Sequence, residues 1–360
     1  MNRNQPFTYR VAALRSVLAA LVCIALVGLR FLPNELDRLQ ASWEEFAITC
    51  IPLNHGNIGI SIVSSNSQQL IDHAGSQRIQ RIDLSGRSRA GRAVLPPEGA
   101  VCITVDPAKT RLIAGTFDGS LIVTSLAGPI PRNHENIGRV SKGRANSLVC
   151  SKDGKVLIVK DDYSLSAWNL EVGSDDYGSP IWSLVDCTIA SVVMSSEKTG
   201  IYCRSDRGTS ISQLIQFDII SGQSQPLLSK NGARFKRLVI SPNGLLLACV
   251  HEMGEITLLS RTSEQAPWND ISIADMSSNL SHVACFSTES NRLITGELDS
   301  NRLAIWDLPQ RRLLFSLAEH PRRVLGCDVL DRQQLLSWSL DNKLRVWNLN
   351  DLSLVREIKL

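Results

Sequence analysis

The stretch HEMGE, His251–Glu255, opens like a zinc-protease motif, in which two histidines one helical turn apart hold the metal and the glutamate acts as base. The second histidine is missing: Glu255 stands at i+4, and the segment falls at the end of a strand-like run instead of on a helix. Two acid pairs, Asp161-Asp162 and Asp175-Asp176, could begin a hard-cation shell, but no further carboxylates cluster with them to complete it. Asp162 stands six residues before Trp168, the place of a turn aspartate. No phosphate-binding glycine loop, nucleophile elbow or dinucleotide fingerprint is present. The nine cysteines are an odd number with no C-x-x-C, which argues against a compact zinc site or a dense disulfide framework. Cys102, Cys150, Cys285 and Cys327 sit in apolar runs and read as small buried hydrophobes. The residues thus predict no catalytic site, no metal, no cofactor and no small-molecule substrate.

Two signals fit binding better than catalysis. RIQRIDLSGRSRAGR places Arg78, Arg81, Arg87, Arg89 and Arg92 against the single Asp83. The plain reading is a solvated outer strand and loop; the sharper one is a patch for acidic protein segments or anionic lipid headgroups. The run has no aromatic residue, and the net charge is +3, so nucleic acid is not expected. The phrase NHGNIG at 54–59 returns as NHENIG at 133–138, read as shared turn chemistry with the second copy in a loop.

The elements that would carry these residues fall into two parts. With 43% hydrophobic and 20% charged residues, the chain is of globular and not of disordered composition. Residues 16–29, SVLAALVCIALVGL, are uncharged, follow Arg3, Arg10 and Arg15, and precede Arg30. Extended over residues 11–32, this reads first as an uncleaved signal anchor in a membrane, with a cleaved signal or a peripheral helix as rivals. The arginine balance favours the N-terminus inside and the remainder on the extracytoplasmic side. The expected organisation is an anchor with flanks at 1–35, a linker at 36–45 and a repeat domain at 46–360.

From Phe46 onward one phrase recurs: an apolar strand, a polar turn, a second apolar strand, a tight turn, then an alternating strand ending in an aromatic or apolar residue. That terminal position falls at Ile82, Thr124, Trp168, Phe217, Leu259, Trp306 and Trp347, so the phrase returns every 41 to 49 residues. Seven copies at that period predict an all-β, seven-bladed propeller of four-stranded blades behind a short N-terminal hydrophobic helix. The last repeat runs to the final residues, LDNKLRVWNLNDLSLVREIKL, and closure is expected to involve FAITCIPL (46–53) and Leu354–Leu360, either paired or as outer edges of different blades.

The repeats resemble those of the WD40 family. Trp306-Asp307 is an intact WD dipeptide, and Trp168-Asn169 and Trp347-Asn348 are close variants. The resemblance implies a buried polar network in the last blade from His320, Ser337 or Ser339, Asp341 and Trp347, with the imidazole bonded to both the aspartate and the hydroxyl. It implies partial versions at Asp299 and Trp306, and at Asp162 and Trp168. His55 precedes Leu70 by the same 15 residues that separate His320 from Leu335, so the first repeat shares the register of the last. It further implies a non-enzymatic protein-interaction scaffold, and with the N-terminal segment the expectation is a membrane-anchored or exported one. The alternatives are a structural subunit of a membrane-associated complex and an extracytoplasmic propeller enzyme of lactonase or quinoprotein-like type.

Overall fold

The structure, a computed structural model, describes residues 46–52, 57–64, 80–83 and 100–359, apart from short stretches at 127–133, 141–142, 187, 206–210, 232–233, 253, 272, 274–279, 298–300, 318–319 and 342. The chain divides into two units. Residues 1–46 with 64–70 form one, of which Phe46 and Ser64 are described; residues 47–63 with 71–360 form the other. The expected N-terminal helix lies outside the described residues. Among the described residues no helix is long and apolar enough to cross a membrane.

Strands β1 (Phe46–Pro52), β2 (Asn57–Ser64) and β3 (Gln80–Asp83) form a three-stranded sheet in that order. Six four-stranded sheets follow. Blade 1 is β4 (Ala100–Val105), β5 (Arg111–Thr116), β6 (Ser120–Ser125) and β7 (His134–Arg139). Blade 2 is β8 (Ala145–Cys150), β9 (Val156–Asp161), β10 (Ser164–Asn169) and β11 (Pro180–Val185). Blade 3 comprises β12 (Ile189–Met194), β13 (Thr199–Ser205), β14 (Ile211–Asp218) and β15 (Ser224–Asn231), and blade 4 comprises β16 (Phe235–Ile240), β17 (Leu246–His251), β18 (Ile256–Ser260) and β19 (Asn269–Ile271). Blade 5 holds β20 (Leu280–Phe286), β21 (Arg292–Glu297), β22 (Leu303–Asp307) and β23 (Arg312–Leu317); blade 6 holds β24 (Val324–Val329), β25 (Gln334–Ser339), β26 (Lys343–Asn348) and β27 (Leu354–Lys359).

The fold is therefore an all-β propeller of six four-stranded blades, not the seven expected. The first repeat fails to make a blade because β2 pairs directly with β3, Asn57 opposite Asp83 and Ile60 opposite Gln80. The second strand expected around Leu70-Ile71 lies outside the described residues, and no strand stands between β2 and β3. Its sequence, SSNSQQLIDHAGSQ, offers too few apolar residues to cover both faces of a central strand. The two segments proposed for closure edge different sheets: β1 pairs with β2, and β27 with β26. HENIG of the NHENIG phrase, expected in a loop, lies in the outer strand of blade 1, whose His134 Nδ1 lies 3.0 Å from the Thr124 hydroxyl.

Blade register repeats. The residue at the Trp position always opposes a fixed place on the second strand: Thr124–Leu112, Trp168–Leu157, Phe217–Gly200, Leu259–Leu247, Trp306–Leu293 and Trp347–Leu335. The two middle strands of a blade are buried on both faces, as β9 and β10 show, so they read as continuous apolar runs and not as alternation. Outer strands β11 and β23 are mostly exposed.

Packing runs from blade to blade in chain order. Cys102, Ile113 and Leu121 of blade 1 meet Leu148, Leu157 and Trp168 of blade 2. Phe217 of blade 3 packs on Ile158 and Leu165 of blade 2, Leu259 on Ile201 and Leu214 of blade 3, Trp306 on Ala248 and Leu258 of blade 4, and Trp347 on Ile294 and Leu303 of blade 5. At the Trp position the side chain thus faces the preceding blade. Each large residue so buried contributes about 1.5–3 kcal/mol.

Arginines bond across the same interfaces. Arg111, just before Leu112, donates to Leu170 O at 3.0 Å and Gly154 O at 2.9 Å in blade 2. Arg292, at the matching place in blade 5, donates to Leu349 O of blade 6 at 2.9 Å. Between blades 3 and 4 the direction reverses: Arg261, two residues after Leu259, donates Nη2–H to Ser195 O of blade 3 at 2.8 Å.

Gly326 shows how tightly the interior is filled: a methyl group there would lie 2.0 Å from Cζ2 of Trp338, its partner on β25. Gly326→Ala should lower stability by roughly 1–3 kcal/mol through overpacking. Urea denaturation followed by tryptophan fluorescence measures this; an unchanged midpoint would show that Trp338 can move aside without cost.

Candidate functional site

Among the described residues, the core of blade 6 and a cleft beside blades 3 and 4 each bring polar side chains from several elements together. In blade 6 the buried indole of Trp347 donates Nε1–H to Ser337 Oγ at 2.7 Å, and His320 Nε2 lies 2.7 Å from the same oxygen. Ser339 turns away and donates to Arg322 O. The imidazole does not bond Asp341. Arg345, 3% exposed, stands between them: its Nη1 is 2.7 Å from His320 Nδ1 and 2.7 Å from Asp341 Oδ2. Its Nη2 meets Glu357 Oε2 at 2.8 Å, and Lys343 Nζ binds the other oxygen of that carboxylate. A guanidinium cannot accept, so His320 Nδ1 must, and the ring proton sits on Nε2 and is given to Ser337. Burial, and then the Arg345 charge, push the His320 pKa down to about 4, which keeps the ring neutral.

This chain resembles a catalytic relay, but its hydroxyl is fully buried and accepts from the indole, with no room for a substrate. Sequence reasoning missed Arg345. The available signal was a charged residue at Arg345 on the same strand face as Trp347, two places before it.

The other residues singled out are dispersed. Trp306 Nε1 donates to Thr295 Oγ1 at 2.9 Å, and Asp307 Oδ1 accepts from Gln310 N in the next turn. Thr295 occupies in blade 5 the place of Ser337, two residues past the partner of the Trp. Blade 2 has Val159 there, and Trp168 donates instead to Ser166 Oγ at 2.9 Å. Asp162 accepts from Asn146 Nδ2 at 2.7 Å and pairs with Arg144 at 3.5 Å. Against a desolvation that alone would raise its pKa, these partners hold the carboxyl below its usual range. His55, Asp299, Arg78, Arg87, Arg89 and Arg92 lie outside the described residues, and Arg81 is described by its backbone alone, in β3. His251 ends β17, where its Nε2 lies 2.8 Å from Thr257 Oγ1 and its ring meets Phe235 edge-on. Among the described residues no group of three or more His, Cys, Asp or Glu could hold a metal ion.

The second region is an open cleft of about 850 Å³. Lys152 of blade 2, the Ser196–Thr199 turn with Gln216 and Gln225 of blade 3, and the Glu264–Trp268 loop of blade 4 line it. Gln216 and Gln225 oppose each other across β14 and β15. The loop is held by Arg261, which donates to Glu264 O at 2.8 Å and stacks its guanidinium 4.6 Å from the Trp268 ring centre. The wall therefore combines three amides, two ammonium groups, two carboxylates and one fixed aromatic face.

The fold and its sites thus define a β-propeller. No protein-family model matches the chain, and no curated protein matches it in sequence.

Arg345→Met should cost about 3–5 kcal/mol, since it strands the buried Asp341 carboxylate; chemical denaturation reads the loss, and a cost under 1 kcal/mol would remove the network from the stability account. The pH response of His320 provides a second check. Its folded pKa of about 4 lies below the ordinary 6.5, so its contribution is complete above pH 6.5 and is lost as pH falls toward 4. Relative to His320→Gln, the wild type should lose on the order of 3 kcal/mol across that window. Asp328, whose carboxyl burial raises to about 6, acts in the opposite sense and cancels in the comparison. Parallel pH profiles for the two proteins would show that His320 does not stay neutral in the fold.

Proposed function

We propose that this protein is a non-enzymatic binding scaffold with WD40-like repeats, held to a membrane through residues 11–32 with its propeller on the extracytoplasmic side, and that the cleft beside blades 3 and 4 receives a peptide segment of a protein partner. The cleft carries this reading. Amide side chains such as Gln216 and Gln225 both donate and accept, which matches an extended backbone. Lys152, Lys198, Glu197 and Glu264 offer both charges to a partner's side chains, and Trp268 gives an apolar face. The WD40-like character is supported by the common register of Trp168-Asn169, Trp306-Asp307 and Trp347-Asn348.

A second reading, a fixed subunit of a membrane-associated complex, is favoured by the outer strands. Ile181, Leu184 and Val185 on β11, and Leu313 and Phe315 on β23, are exposed along sheet edges.

Affinity capture from cell extract by the full-length protein, compared with a Lys152→Glu/Lys198→Glu variant, tests the cleft. The variant should keep its melting temperature and lose at least tenfold of the captured partner; an unchanged set of partners would refute the cleft as the site. Deletion of residues 1–35 should move the protein from the membrane fraction to the soluble one, and retention in the membrane would refute the anchor.

A further inference from the structure

Cys285 lies on β20 and Cys327 on β24, the innermost strands of blades 5 and 6. Both side chains are buried, and their Sγ atoms are 3.0 Å apart. Within their own sheets Cys285 opposes Ile294 and Cys327 opposes Ser337, so the sulfur contact crosses from one sheet to the next. Val283, Ile294, Val324 and Leu335 pack in the same cluster. The comparable contact between blades 1 and 2 has one sulfur: Cys102 Sγ meets Ala145 O at 3.1 Å. A disulfide bond is about 2.05 Å long, so closing the pair requires the sulfurs to approach by about 1 Å.

We propose that Cys285 and Cys327 are a covalent modification site, a disulfide that ties blade 5 to blade 6 by exchange with a small-molecule disulfide such as oxidised glutathione. One cysteine thiolate attacks glutathione disulfide, forming a mixed disulfide and releasing one glutathione thiolate. The second cysteine thiolate attacks the protein sulfur of that mixed disulfide, forms the Sγ–Sγ bond and releases the second glutathione. Two cysteines are oxidised, one glutathione disulfide is reduced to two thiols, and the two cysteine protons end on those thiols.

Burial, followed by the neighbouring Cys327, raises the Cys285 thiol well above its ordinary pKa, so in the packed state that thiol is a poor nucleophile. Exchange therefore belongs to moments when blade 6 is undocked, during synthesis or local opening. The bond, once buried, is sheltered from reduction. It closes a loop spanning the 42 positions from Cys285 to Cys327, which restricts the unfolded chain.

The test uses the folded full-length protein in detergent, incubated with oxidised glutathione in urea below the unfolding midpoint. Acid quenching, blocking of remaining thiols with N-ethylmaleimide under denaturing conditions, proteolysis and mass spectrometry follow. The expected product is a peptide pair linked through Cys285 and Cys327 with the loss of two hydrogens, while Cys102 and Cys249 carry the maleimide. The melting temperature should rise by several degrees on oxidation, fall back after dithiothreitol treatment in the same sub-midpoint urea, and not respond in Cys327→Ser. Glutathione or maleimide on both Cys285 and Cys327, with no linked peptide, would overturn the proposal.

Discussion

Apolar contact between consecutive blades is the constraint on which this structure rests. A four-stranded sheet of this kind is apolar on both faces of its middle strands and cannot be stable alone. Each blade is therefore stable as a neighbour of the next, and energies add along the chain in nearest-neighbour fashion. The residue at the Trp position serves that contact directly, whether Trp, Phe or Leu, because it faces the preceding blade. The aromatic–polar dipeptide matters less than the register that places it.

Polar groups are added where they do not disturb that packing. Arg111, Arg292 and Arg261 reach across interfaces to backbone carbonyls that the turns leave free. In blade 6 a buried guanidinium needs compensation, and it finds two carboxylates and an imidazole nitrogen. His320 stays neutral as a result of burial and of that positive charge. The set is costly to break and has no accessible nucleophile, which is the signature of a structural network.

Much of the architecture was legible because strand length and turn chemistry repeat. Period, strand order and the Trp positions of blades 1 to 6 follow from apolar runs between polar turns. The blade number differs at the first repeat: its pattern predicts a second strand around Leu70-Ile71, and β2 pairs directly with β3 instead. Strand pairing is non-local, so which strands become neighbours leaves no mark on the local pattern. The site was less legible. Arg345 belongs to no expected network position, and the Cys285–Cys327 contact joins residues on different sheets. The cleft draws on Lys152, Lys198, Gln225 and Trp268, from three blades, with no shared motif. Rigid blades present such surfaces from loops, where sequence carries little periodic signal.

Amide hydrogen exchange of the full chain tests the central claim, that stability resides in the faces shared by consecutive blades. The three inner strands of each of the six blades should exchange slowly and together, while the outer strands β11 and β23 exchange fast. Blades that exchange independently at widely different rates, or an outer strand as protected as β9 or β25, would contradict the account.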